Sequence, residues 1–152
     1  MVKRGFTLIE LMVVIAIIGI ILGITIPYVN VKGRALETYT NKVEALINLA
    51  RTKAMTESIP YCIVIDEAAD KVWAFKDVDG DGVHDASSEL ILGEVEMPGY
   101  LDVELAEGSS PITARANGMF SSAATIDVAR TDGADSMFVF FTIAGFIKSG
   151  RY

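Results

Sequence analysis

"KRGFTLIELMVVIAIIGIILGITIP", residues 3–27, sets two cations ahead of an apolar run, Phe6 to Ile26, in which Glu10 is the one charged residue. A helix of that length spans roughly 30 Å, enough to cross the hydrocarbon core of a bilayer. Lys3 and Arg4 hold the preceding end on the cytoplasmic side and send the rest of the chain outward. A carboxylate at membrane depth costs at least a few kcal/mol, so Glu10 implies a partner or a functional demand that offsets the cost. A secretory signal peptide does not fit, because Pro27-Tyr28-Val29-Asn30 offers no small-x-small cleavage site after the run. A plain anchor leaves Glu10 unexplained.

Beyond the run the 152-residue chain reads as soluble, and its length allows one domain with its own core. It has 13 basic and 20 acidic residues, a net charge of -7, which repels nucleic acid phosphates unless the few cations cluster. The single cysteine, Cys62, excludes an intrachain disulfide and lies in an apolar run where a buried small hydrophobe is expected.

Past Pro27 the pattern becomes amphipathic. Leu36, Tyr39, Val43, Leu46, Ala50 and Ala54 recur at spacings of three and four, predicting a helix packed on a core. One long helix from Phe6 to Glu57 is expected, kinked or locally melted near Gly23, Pro27 and Gly33 and ended by Ser58-Ile59-Pro60. From Tyr61 the chain is strand-like. "YCIVID" and "KVWAFK" flank Glu67-Ala68-Ala69-Asp70 as a hairpin, and "ELILGEVEM", "LDVEL", "PITARANGMF", "ATIDVA" and "SMFVFFTIAGFIK" follow as further runs. Turns are expected at Pro98-Gly99, Gly108–Pro111 and Thr131–Asp135. The fold class is α+β: a long N-terminal helix packed against an antiparallel β-sheet head. The expected segments are residues 1–5, 6–27, 28–59 and 60–152.

"RGFTLIE" followed by an apolar stretch ending in proline resembles the class III signal of type IV pilins and type II secretion pseudopilins. The resemblance implies a leader of residues 1–5, cut between Gly5 and Phe6 by a prepilin peptidase that methylates the new amine of Phe6. It implies a partner for Glu10 as well: the amine of Phe6, one helical turn away, within or between subunits of a filament. Such a buried pair fixes axial register better than it adds stability. "LINLARTKAMTESIPYCIVI" and the tail "FTIAGFIKSGRY" resemble the helix end, first strand and closing strand of the GspH/FimT-like minor pseudopilins and minor pilins. The expectation is a structural minor pseudopilin of a type II secretion system. It would sit in the bacterial inner membrane by a single pass, with its head in the periplasm and other pilins or pseudopilins as partners. The alternative is a minor or major type IV pilin in pilus assembly, adhesion or DNA uptake. Relatives that take up DNA carry a second arginine soon after the glycine of the closing strand. Here that place holds Phe146, leaving Lys148 and Arg151, so nucleic acid is disfavoured as a partner.

"DVDGDGVHDASSE", residues 77–89, is the one stretch suited to ion chemistry. Asp77, Asp79, Asp81, Gly82 and Asp85 occupy the first, third, fifth, sixth and ninth places of a calcium loop, and the carbonyl of Val83 supplies the seventh. Ser88 stands in the twelfth place, with Glu89 one late. The same residues also make an ordinary acidic, glycine-rich turn between strands. His84, the lone histidine, is expected to be a solvated turn residue and not a zinc ligand. No nucleophile elbow, phosphate loop, H-E-x-x-H or Cys-His pair is present, so no enzyme and no required cofactor are expected, calcium apart. Trp73, Phe75, Phe138, Phe140 and Phe141 read as sheet packing; Phe120 and Tyr152 follow no pattern that assigns them. A membrane-tethered calcium or ligand module that never polymerises is the competing class.

Overall fold

The computed structural model describes residues 8–25 and 31–152. The leader, the Gly5-Phe6 bond, Phe6 itself and Pro27 lie outside the described residues. Two helices precede eight strands: α1 (Leu8–Thr25), α2 (Val31–Glu57), β1 (Tyr61–Asp66), β2 (Lys71–Lys76), β3 (Ile91–Glu96), β4 (Leu101–Glu107), β5 (Ile112–Ala114), β6 (Ala124–Arg130), β7 (Ser136–Phe141) and β8 (Ile147–Arg151). The chain divides into two compact units between Lys32 and Gly33.

In the first unit, the side chains of α1 from Leu8 to Ile18 are exposed all round, Glu10 included, and Glu10 falls in the first turn of the described helix. Among the described residues no helix is both long and apolar enough to cross a membrane by itself. Helix α1 as described has 18 residues, roughly 27 Å of axis; Phe6, Thr7 and Ile26, which complete the apolar run, lie outside the description. The backbone is helical at Gly23 and at Gly33, and α1 and α2 are separated by residues 26–30, which include Pro27 and lie outside the described residues.

In the second unit, α2 buries Leu36, Val43, Leu46, Ile47, Ala50 and Ala54 along one face. Thr40, also buried, satisfies its hydroxyl by donating to the Leu36 carbonyl one turn back, at 2.9 Å. The helix ends at Glu57 because Ser58 takes a left-handed conformation with φ of 57°.

The head departs from a single sheet. Its strands form two four-stranded antiparallel sheets, in the orders β3-β2-β1-β5 and β4-β6-β7-β8. The β1–β2 hairpin has the expected register, with Tyr61 opposite Lys76 and Asp66 opposite Lys71. Strand alternation sends Tyr61, Ile63, Ile65, Val72 and Ala74 inward from the first sheet, and Ile126, Val128, Val139 and Phe141 inward from the second. These residues meet the α2 stripe in one core, completed by Phe120, whose ring lies 4.8 Å from that of Phe141.

The run at residues 136–148, expected as one stretch, is two strands joined by a tight turn. Gly145 has φ of 88°, its N–H donates to the Thr142 carbonyl at 2.9 Å, and the Thr142 hydroxyl accepts the Phe146 N–H at 3.2 Å. The glycine reverses the chain inside an unbroken apolar sequence.

Candidate functional site

The long connection from β2 to β3 does not project into solvent. On the face of β2 opposite the core, Trp73 and Phe75 receive the imidazole of His84 edge-on, at ring separations of 5.3 and 5.1 Å. His84 is therefore half-buried and packed, not the solvated turn residue expected, and its Nε2 has no hydrogen-bond partner among the described residues. Phe75 is fully buried although it points away from the central core. The loop covers the outer face of the first sheet.

Two buried carboxylates fasten that cover. Asp77 accepts the Gly80 N–H at 2.8 Å through Oδ1 and the Cys62 thiol at 3.3 Å through Oδ2. Glu89 accepts the Val78 N–H at 2.8 Å and the Asp85 N–H at 2.9 Å, one with each oxygen, and so ties the two ends of the loop together. Burial pushes the Cys62 thiol up to about 12, so it stays protonated and inert, as a small buried residue should.

The structure brings Asp77 and Asp79 together with Glu89, one oxygen from each lying within 4.8 Å of the others. Asp81, Asp85 and Ser88 do not join that group. The Asp81 carboxylate accepts the Val83 N–H at 2.7 Å. Asp85 is held by its own neighbours: the Ser87 N–H first, then the Ser87 and Ser88 hydroxyls, which together keep its carboxyl below the usual range. The Ser88 hydroxyl is thus engaged with Asp85 at 3.0 Å. Glu89, which falls one place past the end of the calcium pattern, takes the place expected for Ser88. Its signal was present in the sequence as the first carboxylate after the loop.

A second fastening joins α2 to the far loops. Arg51 Nε donates to the Gly118 carbonyl at 2.8 Å, and the guanidinium lies against Gly145 as well. At the end of α2, Glu57 accepts from Lys53 at 3.1 Å, Lys76 at 2.8 Å and the Tyr61 hydroxyl at 3.0 Å. The Lys76 contact is the largest of the effects that bring its carboxyl down to about 2.

Residues 1–26 match the family model described as the prokaryotic N-terminal methylation motif. Among solved structures, the chain is similar to the minor pseudopilin EpsH from the type 2 secretion system of Vibrio cholerae. In one structure of EpsH the TM-score is 0.64 at 10% identity, covering 76% of this chain and 96% of that one. A second EpsH structure gives 0.59 at 13% identity, covering 79% and 95%. The type IV minor pilin FimU of Pseudomonas aeruginosa gives 0.60 at 16% identity, covering 78% and 90%. At such identities the likeness concerns the fold, and it covers most of the length of both relatives. The chain thus carries a prokaryotic N-terminal methylation motif over residues 1–26 ahead of a head with the pilin-like fold seen in EpsH and FimU.

Proposed function

We propose that the chain is a structural, non-catalytic minor pseudopilin of a type II secretion system. It would be processed between Gly5 and Phe6, methylated at Phe6, and held in the inner membrane by residues 6–27 with its head in the periplasm. The observation that carries the reading is the methylation motif over residues 1–26 ahead of a head that has the EpsH fold. Glu10 would then meet the Phe6 amine within or between subunits, and the exposed apolar sides of α1 would pack on neighbouring helices. The likeness to FimU favours a second reading, a minor subunit of a type IV pilus. Deletion of the gene separates them: lost release of folded proteins with intact pili supports the first, and lost pili with intact secretion supports the second. Intact-mass measurement of the mature chain tests processing. It should lack residues 1–5 and carry one added methyl group, and a retained Met1 would remove the reading.

Calcium is part of the proposal. The convergence of Asp77, Asp79 and Glu89 supports a site in which those three carboxylates supply oxygen ligands to a hard cation. A site with few carboxylates on a periplasm-facing head should be weak, roughly 10⁻⁴ to 10⁻³ M, as in extracellular modules.

A further inference from the structure

Most of the large hydrophobic side chains left exposed on the head gather in two places. Met55, Met119, Ile143 and Phe146 are 49%, 39%, 48% and 60% exposed. They come together because Gly118 and Gly145 lie against each other beneath Arg51: a Cβ on Gly145 would lie 2.5 Å from the Gly118 carbonyl, and one on Gly118 would lie 2.8 Å from Met55 Sδ. The Phe120 N–H, next to Met119, donates to the Ile143 carbonyl at 2.9 Å. Val78, Val83, Leu90 and Ile91 are 55%, 66%, 75% and 51% exposed and belong to the loop that covers the first sheet and to its exit into β3.

The two clusters are rimmed by opposite charge. Arg115, whose N–H donates to the Met119 carbonyl, and Lys148, two residues past Phe146, are exposed. Neither forms an ion pair among the described residues, whereas Lys71, Lys76, Arg130 and Arg151 all do. In a chain of net charge -7, two unpaired cations beside an apolar patch mark a place where an acidic surface can sit. The loop cluster is bordered by the exposed carboxylates Asp79, Asp81 and Asp85. Both patches are preformed, the first by the Arg51 fastening and the second by Asp77 and Glu89, so docking them needs little ordering.

We propose that the head binds a second copy of this chain through these unlike patches, the apolar cluster around Phe146 with its Arg115 and Lys148 rim meeting the apolar, acidic loop around Val83. The contact is heterologous, so it can be repeated from copy to copy. Each patch is on the order of a few hundred Å², below what a stable free dimer needs, so the contact forms between copies held together in one membrane or micelle. It concerns the heads and rests on the proposed membrane anchoring, but not on whether the chain serves a pseudopilus or a pilus.

The test uses the full chain in detergent micelles, where buried Cys62 stays silent. Copies carrying Phe146→Cys are mixed with copies carrying Val83→Cys and oxidised. The comparison pair is Leu49→Cys with Tyr100→Cys, exposed positions outside both patches. The mixture should form its disulfide about fivefold faster than the comparison pair and than either variant alone. Arg115→Glu with Lys148→Glu on the Phe146→Cys copy should lower the rate about fivefold, and Asp79→Lys with Asp81→Lys on the other copy should restore it. A variant that does not unfold cooperatively is replaced by Met119→Cys or Leu90→Cys. A mixture no faster than the comparison pair, crosslinking equally fast within one variant, or a rate indifferent to charge reversal overturns the proposal.

Discussion

Gly145→Ala is the sharpest probe of how α2 is bound to the sheets. The residue sits at φ of 88°, where an L side chain costs about 1–2 kcal/mol. A methyl group there would also lie 2.5 Å from the Gly118 carbonyl and 2.7 Å from Arg51 Nε, inside contact distance of both partners of one hydrogen bond. Breaking that bond removes a charged donor from a half-buried carbonyl, worth roughly 1.5–3 kcal/mol. The sum is about 2.5–5 kcal/mol, a large part of the roughly 5–15 kcal/mol that holds a domain folded. Gly80→Ala supplies the control. It has φ of 80° and nothing within 4 Å of a new Cβ, so it should cost the conformational part alone. Residues 33–152 contain every buried core residue among the described residues, and urea unfolding of that segment, followed by circular dichroism, gives both numbers. Adding Arg51→Ala should make Gly145→Ala less costly, because one of the two clashing groups is gone. Equal losses for Gly145→Ala and Gly80→Ala would show that Arg51 and the Gly118 loop yield freely, and the fastening argument would fail.

Four further outcomes are expected. Glu10→Ala should leave membrane insertion and head unfolding unchanged but weaken crosslinking to pilin-like partners; unchanged crosslinking would remove the charge-pair argument. Calcium at about 10 mM, roughly ten- to a hundredfold over the proposed dissociation constant, should stabilise the head by about 1.4–2.7 kcal/mol and raise its melting temperature selectively over magnesium. Asp79→Asn should abolish that rise while Asp81→Asn leaves it, and equal melting with calcium, magnesium and chelator would reduce the loop to an acidic turn. For Glu57, whose carboxyl is brought down to about 2 in the fold, the stabilisation is complete above the ordinary carboxylate value of 4.5 and is lost as pH falls from there toward 2. Glu57→Gln should therefore flatten that limb of the stability profile, and an unchanged limb would refute the role assigned to Lys76 and Lys53.

The parts of the fold that were legible in the sequence are those governed by neighbouring residues. The α2 stripe, the β1–β2 hairpin, β3, β4, β6 and the turns at Pro98-Gly99 and Thr131–Asp135 follow from period and turn chemistry, whereas only Ile112–Ala114 of the run at 111–120 is strand. The division into two sheets was not legible, because the choice of β6 as partner for β4 and of β5 as partner for β1 is made between segments far apart in the chain. The β7–β8 turn was hidden because Thr142, Ile143 and Ala144 read as a continuation of "MFVFF", and Gly145 alone carries the reversal. In the loop, the spacing singled out Asp77 and Asp79, whose carboxylates converge with that of Glu89, while local hydrogen bonds turn Asp85 toward Ser87 and Ser88. Arg51 was visible only as a charge off the apolar stripe; its partner, Gly118, is 67 residues away.

The cover that the β2–β3 loop lays over the outer face of the first sheet has a consequence for how the chain can drift in evolution. In β4 one side is wet: Leu101 and Val103 are buried while Asp102 and Glu104 are exposed, so every second position is free to vary. β2 has no such freedom. Val72 and Ala74 lie in the central core, Trp73 and Phe75 lie under His84, and a change at any of the four meets packed neighbours. Relatives that keep the loop should therefore show a continuous constrained block through β2 and an alternating one through β4. Relatives that have lost the loop should regain alternation in β2, with polar residues where Trp73 and Phe75 stand.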